Sequence, residues 1–131
     1  MAVASDELVE VARDYLIAFT NRDADTVERL SFAENGVLAF SIAIPPGVHD
    51  SLRDFLARMR EVPQTAQRIE SQPTGIMHND FAWLVDFPKF TVPDGRVVSA
   101  RFSVVLQRFG DFWKVVHSHL SIGGEVMAAA E

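Results

Sequence analysis

The hydrophobic period of this chain changes once, at Pro63, and that change limits what it can fold into. Before Pro63 apolar residues recur every three or four positions, which buries one face of a helix; beyond it they alternate, which buries one face of a strand. Leu8, Val11, Ala12, Tyr15, Leu16 and Phe19 line one face of a first helix from Asp6 to Arg22, with Ser5 or Asp6 as N-cap. A shorter helix is predicted from Asp25 to about Phe32, closed by Glu34-Asn35-Gly36 and followed by strand-like Val37 to Ile44, which Pro45-Pro46-Gly47 breaks. Asp50 caps a third helix whose Leu52, Phe55, Leu56 and Met59 share a face. Four antiparallel strands follow, at about 66–78, 81–92, 97–109 and 113–122, joined at Asn79, at Pro93-Asp94-Gly95-Arg96 and at Phe109-Gly110-Asp111-Phe112.

Helices first and sheet second predict a single α+β domain over 1–131, three N-terminal helices packed on an antiparallel sheet around an apolar core. With 48% apolar residues the chain can bury such a core. Eighteen acidic against 12 basic residues, the latter scattered, argue against nucleic acid and against an anionic membrane surface as partners. The absence of cysteine excludes disulfides, thiolate metal sites and a cysteine nucleophile. The N-terminus lacks a basic and apolar leader pattern, and no apolar run reaches membrane-spanning length, so a soluble cytoplasmic protein is expected.

The last strand holds the pair that invites a chemical reading, His117 and His119, two residues apart and therefore on one face. If both late hairpins have two-residue loops, His117 falls opposite Val104, His119 opposite Phe102 and Val115 opposite Leu106, with Trp83, Val85 and Phe87 on the same face. That face is the apolar one the helices are expected to cover. The other carries Asp86, Arg101, Ser103, Val105, Gln107 and Lys114, with Asp86 and Arg101 placed for a cross-strand ion pair. A one-residue slip in either hairpin inverts the assignment. His49 and His78 read as solvated surface residues.

Three helices, one short strand and a long meander ending in Trp113-Lys-Val-Val-His-Ser-His-Leu-Ser121 resemble the nuclear-transport-factor-2-like superfamily, in its SnoaL-like branch. The segments that carry the resemblance are DYLIAFTNRDADTVERLSFAENGVLAF, GVHDSLRDFL and ARFSVVLQRFGDFWKVVHSHLS. The ending is also similar to the association domain of calcium/calmodulin-dependent kinase II. The resemblance implies a cone-shaped cystatin-like fold that hosts isomerases, cyclases, dehydratases and pure assembly domains alike. Ketosteroid isomerase, in the same superfamily, uses a helix-borne Tyr and two Asp residues. Tyr15 matches the tyrosine, whereas Phe40 or a neighbour stands where the base is expected and the position of the second acid falls near Val105, and neither offers a carboxylate.

Two function classes follow. In the first, the domain binds an apolar carbonyl or hydroxyl compound and performs acid/base isomerase, cyclase or dehydratase chemistry without metal or cofactor. Tyr15 is then the hydrogen-bond donor, one of His117 and His119 the acid/base, and Trp83, Val85, Phe87, Phe102 and Val104 the pocket wall. In the second, it is a non-catalytic ligand-binding or homo-oligomerising module, its histidines hydrogen-bonded to Ser121, Tyr15 or water. His-x-His also begins a metal site, but no third ligand shares its face in this reading. A homodimer is expected through the outer sheet face, where Val105, Val116, Leu120 and Ile122 sit among Arg101, Gln107 and Ser118.

Overall fold

The computed structural model describes residues 1–32 and 52–122, so the expected strand at Val37 to Ile44, the Asp50 cap and His49 lie outside the described residues. Helix α1 spans Asp6–Thr20 and α2 spans Ala24–Leu30, after a short strand β1 at Ala2–Val3. Ser5 caps α1 by accepting the Leu8 amide at 3.4 Å, and Asp23 caps α2 by accepting the Thr26 amide at 3.2 Å and its hydroxyl at 2.6 Å. Helix α3 covers Leu52–Arg60 and buries Leu56 and Met59.

The meander contains more strands than alternation alone predicts. The first expected strand divides into β2, Arg68–Glu70, and β3, Thr74–His78, and the second into β4, Phe81–Asp86, and β5, Lys89–Thr91. Two long strands follow, β6 at Val97–Phe109 and β7 at Phe112–Ile122. Both divisions fall at one level of the sheet, and Asp86 ties them together. Its buried carboxylate accepts the Ser71 hydroxyl at 2.6 Å, the Gln72 amide at 3.1 Å and the Phe87 amide at 2.8 Å, while Pro73 and Pro88, which have no amide to donate, stand beside the break. The expected Asp86–Arg101 ion pair is therefore corrected: Asp86 points inward and serves the bend, and Arg101 is exposed on the opposite face.

Every pairing between the named strands is antiparallel, and Ser31 adds an isolated parallel bridge to Val115. Strand β6 pairs along one flank with β5 and then β4, and along the other with β7, so the sheet curls around one long central strand with the helices on its concave side. Tyr15, Leu16 and Phe19 from α1, and Val27 and Leu30 from α2, pack against Leu84, Phe102, Val104, Leu106, Trp113, Val115 and Leu120.

The pairing register departs from the expected one at two places, by one residue each. The β5–β6 connection is a three-residue loop, Pro93-Asp94-Gly95, with Gly95 at φ +88 and the Val92 amide donating to the Arg96 carbonyl at 2.9 Å. This sets Leu84 opposite Val104 and Trp83 opposite Val105. The β6–β7 loop, Gly110-Asp111, does have two residues, and Val115 does lie opposite Leu106. A bulge then inserts Val116, so that His117 faces Val105, Ser118 faces Val104 and His119 faces Ser103.

Gly75 on β3 shows how closely the bent strands approach. A Cβ built there would lie 2.0 Å from the Trp83 carbonyl oxygen and 2.6 Å from the Leu84 Cα, both in backbone that cannot yield without opening the β3–β4 pairing. Gly75→Ala is expected to lower stability by about 3 kcal/mol, the upper range for overpacking, read as a fall in urea midpoint.

Candidate functional site

The bulge at Val116 decides which side chains enter the interior. On β7 the inward residues are Trp113, Val115, Ser118 and Leu120, all buried, and the two histidines point the other way, half-buried on the convex face. Their expected place beneath the helices is thereby corrected, and so is their expected pairing with Phe102 and Val104. Trp83 and Val85 remain on the histidines' face as expected, and Phe87 is exposed; Phe102 and Val104 are on the opposite side, in the core. The five residues expected to form one pocket wall are thus divided between the two faces of the sheet.

Of the three expected catalytic side chains, Tyr15 alone is inside. It is fully buried, and its phenol oxygen lies 2.8 Å from the Ser118 hydroxyl across the α1–β7 interface. Its ring stacks with Phe19 at 6.2 Å and Phe102 at 6.1 Å, and Phe19 stacks in turn on Phe55 at 5.4 Å. Burial pushes the Tyr15 phenol well above its ordinary pKa, with the Ser118 hydrogen bond acting in the opposite direction. Such a group donates a hydrogen bond and keeps its proton at neutral pH. Ser118 is the member of this pair that sequence reasoning missed. Only the Val116 bulge brings it inward, and a strand read with strict alternation from Val115 sends it outward.

On the convex face the registers align two rows across β3, β4, β6 and β7: Ile76, Trp83, Val105 and His117, then Thr74, Val85, Ser103 and His119. Trp83 is 43% exposed, and Phe81, Val85 and Phe87 more so. A shallow cavity of about 600 Å³ at the margin of this face is lined by Glu70, Ser71, Gln72, Asp86, Phe87 and Lys89 among others. Among the described residues no three His, Asp or Glu side chains converge in a way that could hold a metal ion.

The Tyr15–Ser118 bond has a measurable signature. Tyr15→Phe strands a buried Ser118 hydroxyl and is expected to cost about 1–3 kcal/mol, most of it recovered in the double variant with Ser118→Ala. Because folding raises the pKa of this acid, its contribution is complete below the unfolded value near 10.0 and declines as the pH rises beyond it. Tyr15 is the chain's single tyrosine, so tyrosinate absorbance reports this group alone. It is expected to appear together with the loss of folded-state circular dichroism above pH 10, while Tyr15→Phe loses less stability over the same range.

Comparison with solved structures finds the same architecture at low identity. An NTF2-like superfamily protein from Salmonella enterica is 16% identical, with TM-score 0.66 over 91% of this chain and 90% of that one. The association domain of CaMKII from Caenorhabditis elegans is 19% identical, with TM-score 0.63 over 86% and 91%. A provisionally assigned ketosteroid isomerase from Parabacteroides distasonis is 15% identical, with TM-score 0.68 over 88% and 85%. At these identities the likeness is one of fold. No curated protein matches the sequence. The model of the SnoaL-like domain matches residues 8–125, nearly the whole chain, and this protein therefore belongs to the SnoaL-like family of the NTF2-like fold.

Proposed function

We propose that this domain is a self-associating module whose convex sheet face is the interface between two copies. The observation that carries this reading is the exposure of Phe81, Trp83 and Val85 side by side on β4, continued by Phe87 and Phe112. Isolated exposed apolar residues are ordinary, but a contiguous aromatic stripe on a sheet face marks a surface meant to be covered. Four strands spaced about 4.8 Å apart and six residues long give a footprint of about 400 Å² per copy. Stable complexes use about 800 Å² per partner, so the flanking Phe87 and Phe112 belong to the interface as well. The CaMKII relative, an association domain by name, supports the same reading.

The interface differs in composition from the one alternation predicts. Val105, Arg101 and Gln107 belong to it, while Ser118 and Leu120 face the core. The informative substitutions are therefore Trp83→Asp and Val105→Asp, each placing a charge in the middle of the face. In sedimentation experiments at micromolar concentration the unsubstituted chain is expected to run as a dimer and the double variant as a folded monomer. A dimer that persists in the double variant removes this face from consideration. Leu120→Asp should instead unfold the protein, because it buries a charge in the core.

The small-molecule reading is second, and the Tyr15–Ser118 pair favours it: two hydroxyls beside Phe19, Phe55 and Phe102 could orient a carbonyl or hydroxyl of an apolar ligand. A ligand oxygen reaching Tyr15 has to displace Ser118. Acid/base chemistry by His117 or His119 requires the substrate on the convex face, against Trp83 and Val85, because the imidazoles and the phenol are separated by the sheet. A panel of cyclic ketones and alcohols screened by thermal shift tests the first site. Tyr15→Phe is expected to abolish any shift while leaving the dimer intact.

A further inference from the structure

The convex face is cationic as well as apolar, in a chain of net charge −6. Among the described residues, the titratable side chains at outward positions of β3, β4, β6 and β7 are His78, Arg101, Lys114, His117 and His119. None is a carboxylate; Glu70 of β2, opposite Lys89 of β5, lines the shallow cavity at the margin of the face. Asp86 on β4 is turned inward and spent on the bend, and Asp80, in the β3–β4 turn, is paired with Arg108 at 2.7 Å. Asp111 lies in the β6–β7 turn, at the far end of β7 from His119. From the helices, the Arg29 carbonyl of α2 accepts from Lys114 Nζ at 2.6 Å. The carboxylates of α1 and α2 lie behind the sheet or at its rim.

From this arrangement we propose that His117 and His119 gate self-association by pH, the dimer forming when they are neutral and loosening when they are protonated. The inference rests on the reading above that this face is the interface. An imidazole ordinarily gains its proton near pH 6.5. Once a second copy covers the face, a charged imidazole loses water and has Arg101, Lys114 and the histidines of both copies for neighbours. Desolvation and like charge both oppose protonation there, so covering the face favours the neutral imidazole. Association is then complete above the ordinary imidazole range and weakens as the pH falls through it. Two-fold symmetry doubles every contribution, because both copies bring the same residues to the contact. Each imidazole that must be neutral in the dimer raises Kd about tenfold between pH 7.5 and 5.5. One per protomer gives about a hundredfold.

Sedimentation equilibrium of the full chain at pH 8, 7, 6 and 5.5, over the range where circular dichroism shows the fold unchanged, tests this directly. The unsubstituted protein is expected to lose at least about a hundredfold in affinity across the range. The variant carrying His117→Gln and His119→Gln is expected to lose most of that dependence, His78 being the one outward imidazole left among the described residues, and each single variant to show a reduced slope. A constant Kd in the unsubstituted protein, or an undiminished slope in the single and double variants, overturns the gate and leaves the interface standing. A protein monomeric at tens of micromolar even at pH 8 overturns the interface, and the gate with it.

Discussion

Strand β6 is the member on which the other strands depend, because among the described strands it alone pairs with three others, β5 and β4 on one side and β7 on the other. A side chain on any neighbour is inward or outward according to the β6 residue it faces. Phe102, Val104 and Leu106 point to the helices, so Leu84, Ser118 and Val115 do too. Shifting one flank by a single residue would exchange the complete inward and outward sets of the strand on that flank. The three-residue loop at Pro93-Asp94-Gly95 and the bulge at Val116 are therefore not local ornaments. They decide that the interior receives a serine and the surface receives two histidines.

Much of the fold was legible because the signals were redundant. The face of α1 was marked by six apolar residues at helical spacing, its start by Ser5, and the hairpins by Asn79, Gly95 and Gly110, all of which adopt positive φ. The site was less legible because it depended on parity, which a single inserted residue reverses. Asp94-Gly95 fits a two-residue turn as well as the last two positions of a three-residue loop. Nothing in Lys-Val-Val-His distinguishes a regular strand from one that bulges at the second valine. The two offsets also compensate: Trp83 and Val85 share a face with the histidines in either register, while the β6 residues between them change from Val104 and Phe102 to Val105 and Ser103.

The division of the strands at Asp86 has a similar logic. Alternation predicts long uninterrupted strands, yet a strongly curled sheet must break its ladder somewhere and then satisfy the amides the break releases. Asp86 does this with one carboxylate, accepting from Gln72 and Phe87 as well as from the Ser71 hydroxyl. Its buried position in an otherwise apolar strand is the sequence feature that marked the bend, although a cross-strand ion pair explained the same residue equally well.

The two faces of the sheet end in opposite states. On the concave side Tyr15 and Ser118 satisfy each other, and the Tyr15 ring stacks with Phe19 and Phe102. The convex side has aromatic area in water and, among the described residues, imidazoles with no carboxylate at the paired strand positions beside them. A polar group buried with its partner contributes stability that varies little with conditions near neutrality, since a phenol pushed upward by burial does not titrate there. Imidazoles on an uncovered face are the reverse, groups whose charge changes in the physiological range and whose environment changes when the face is covered. The bulge at Val116 therefore keeps the hydroxyl inside, where constancy is required, and the histidines outside, where a change in charge can act on assembly.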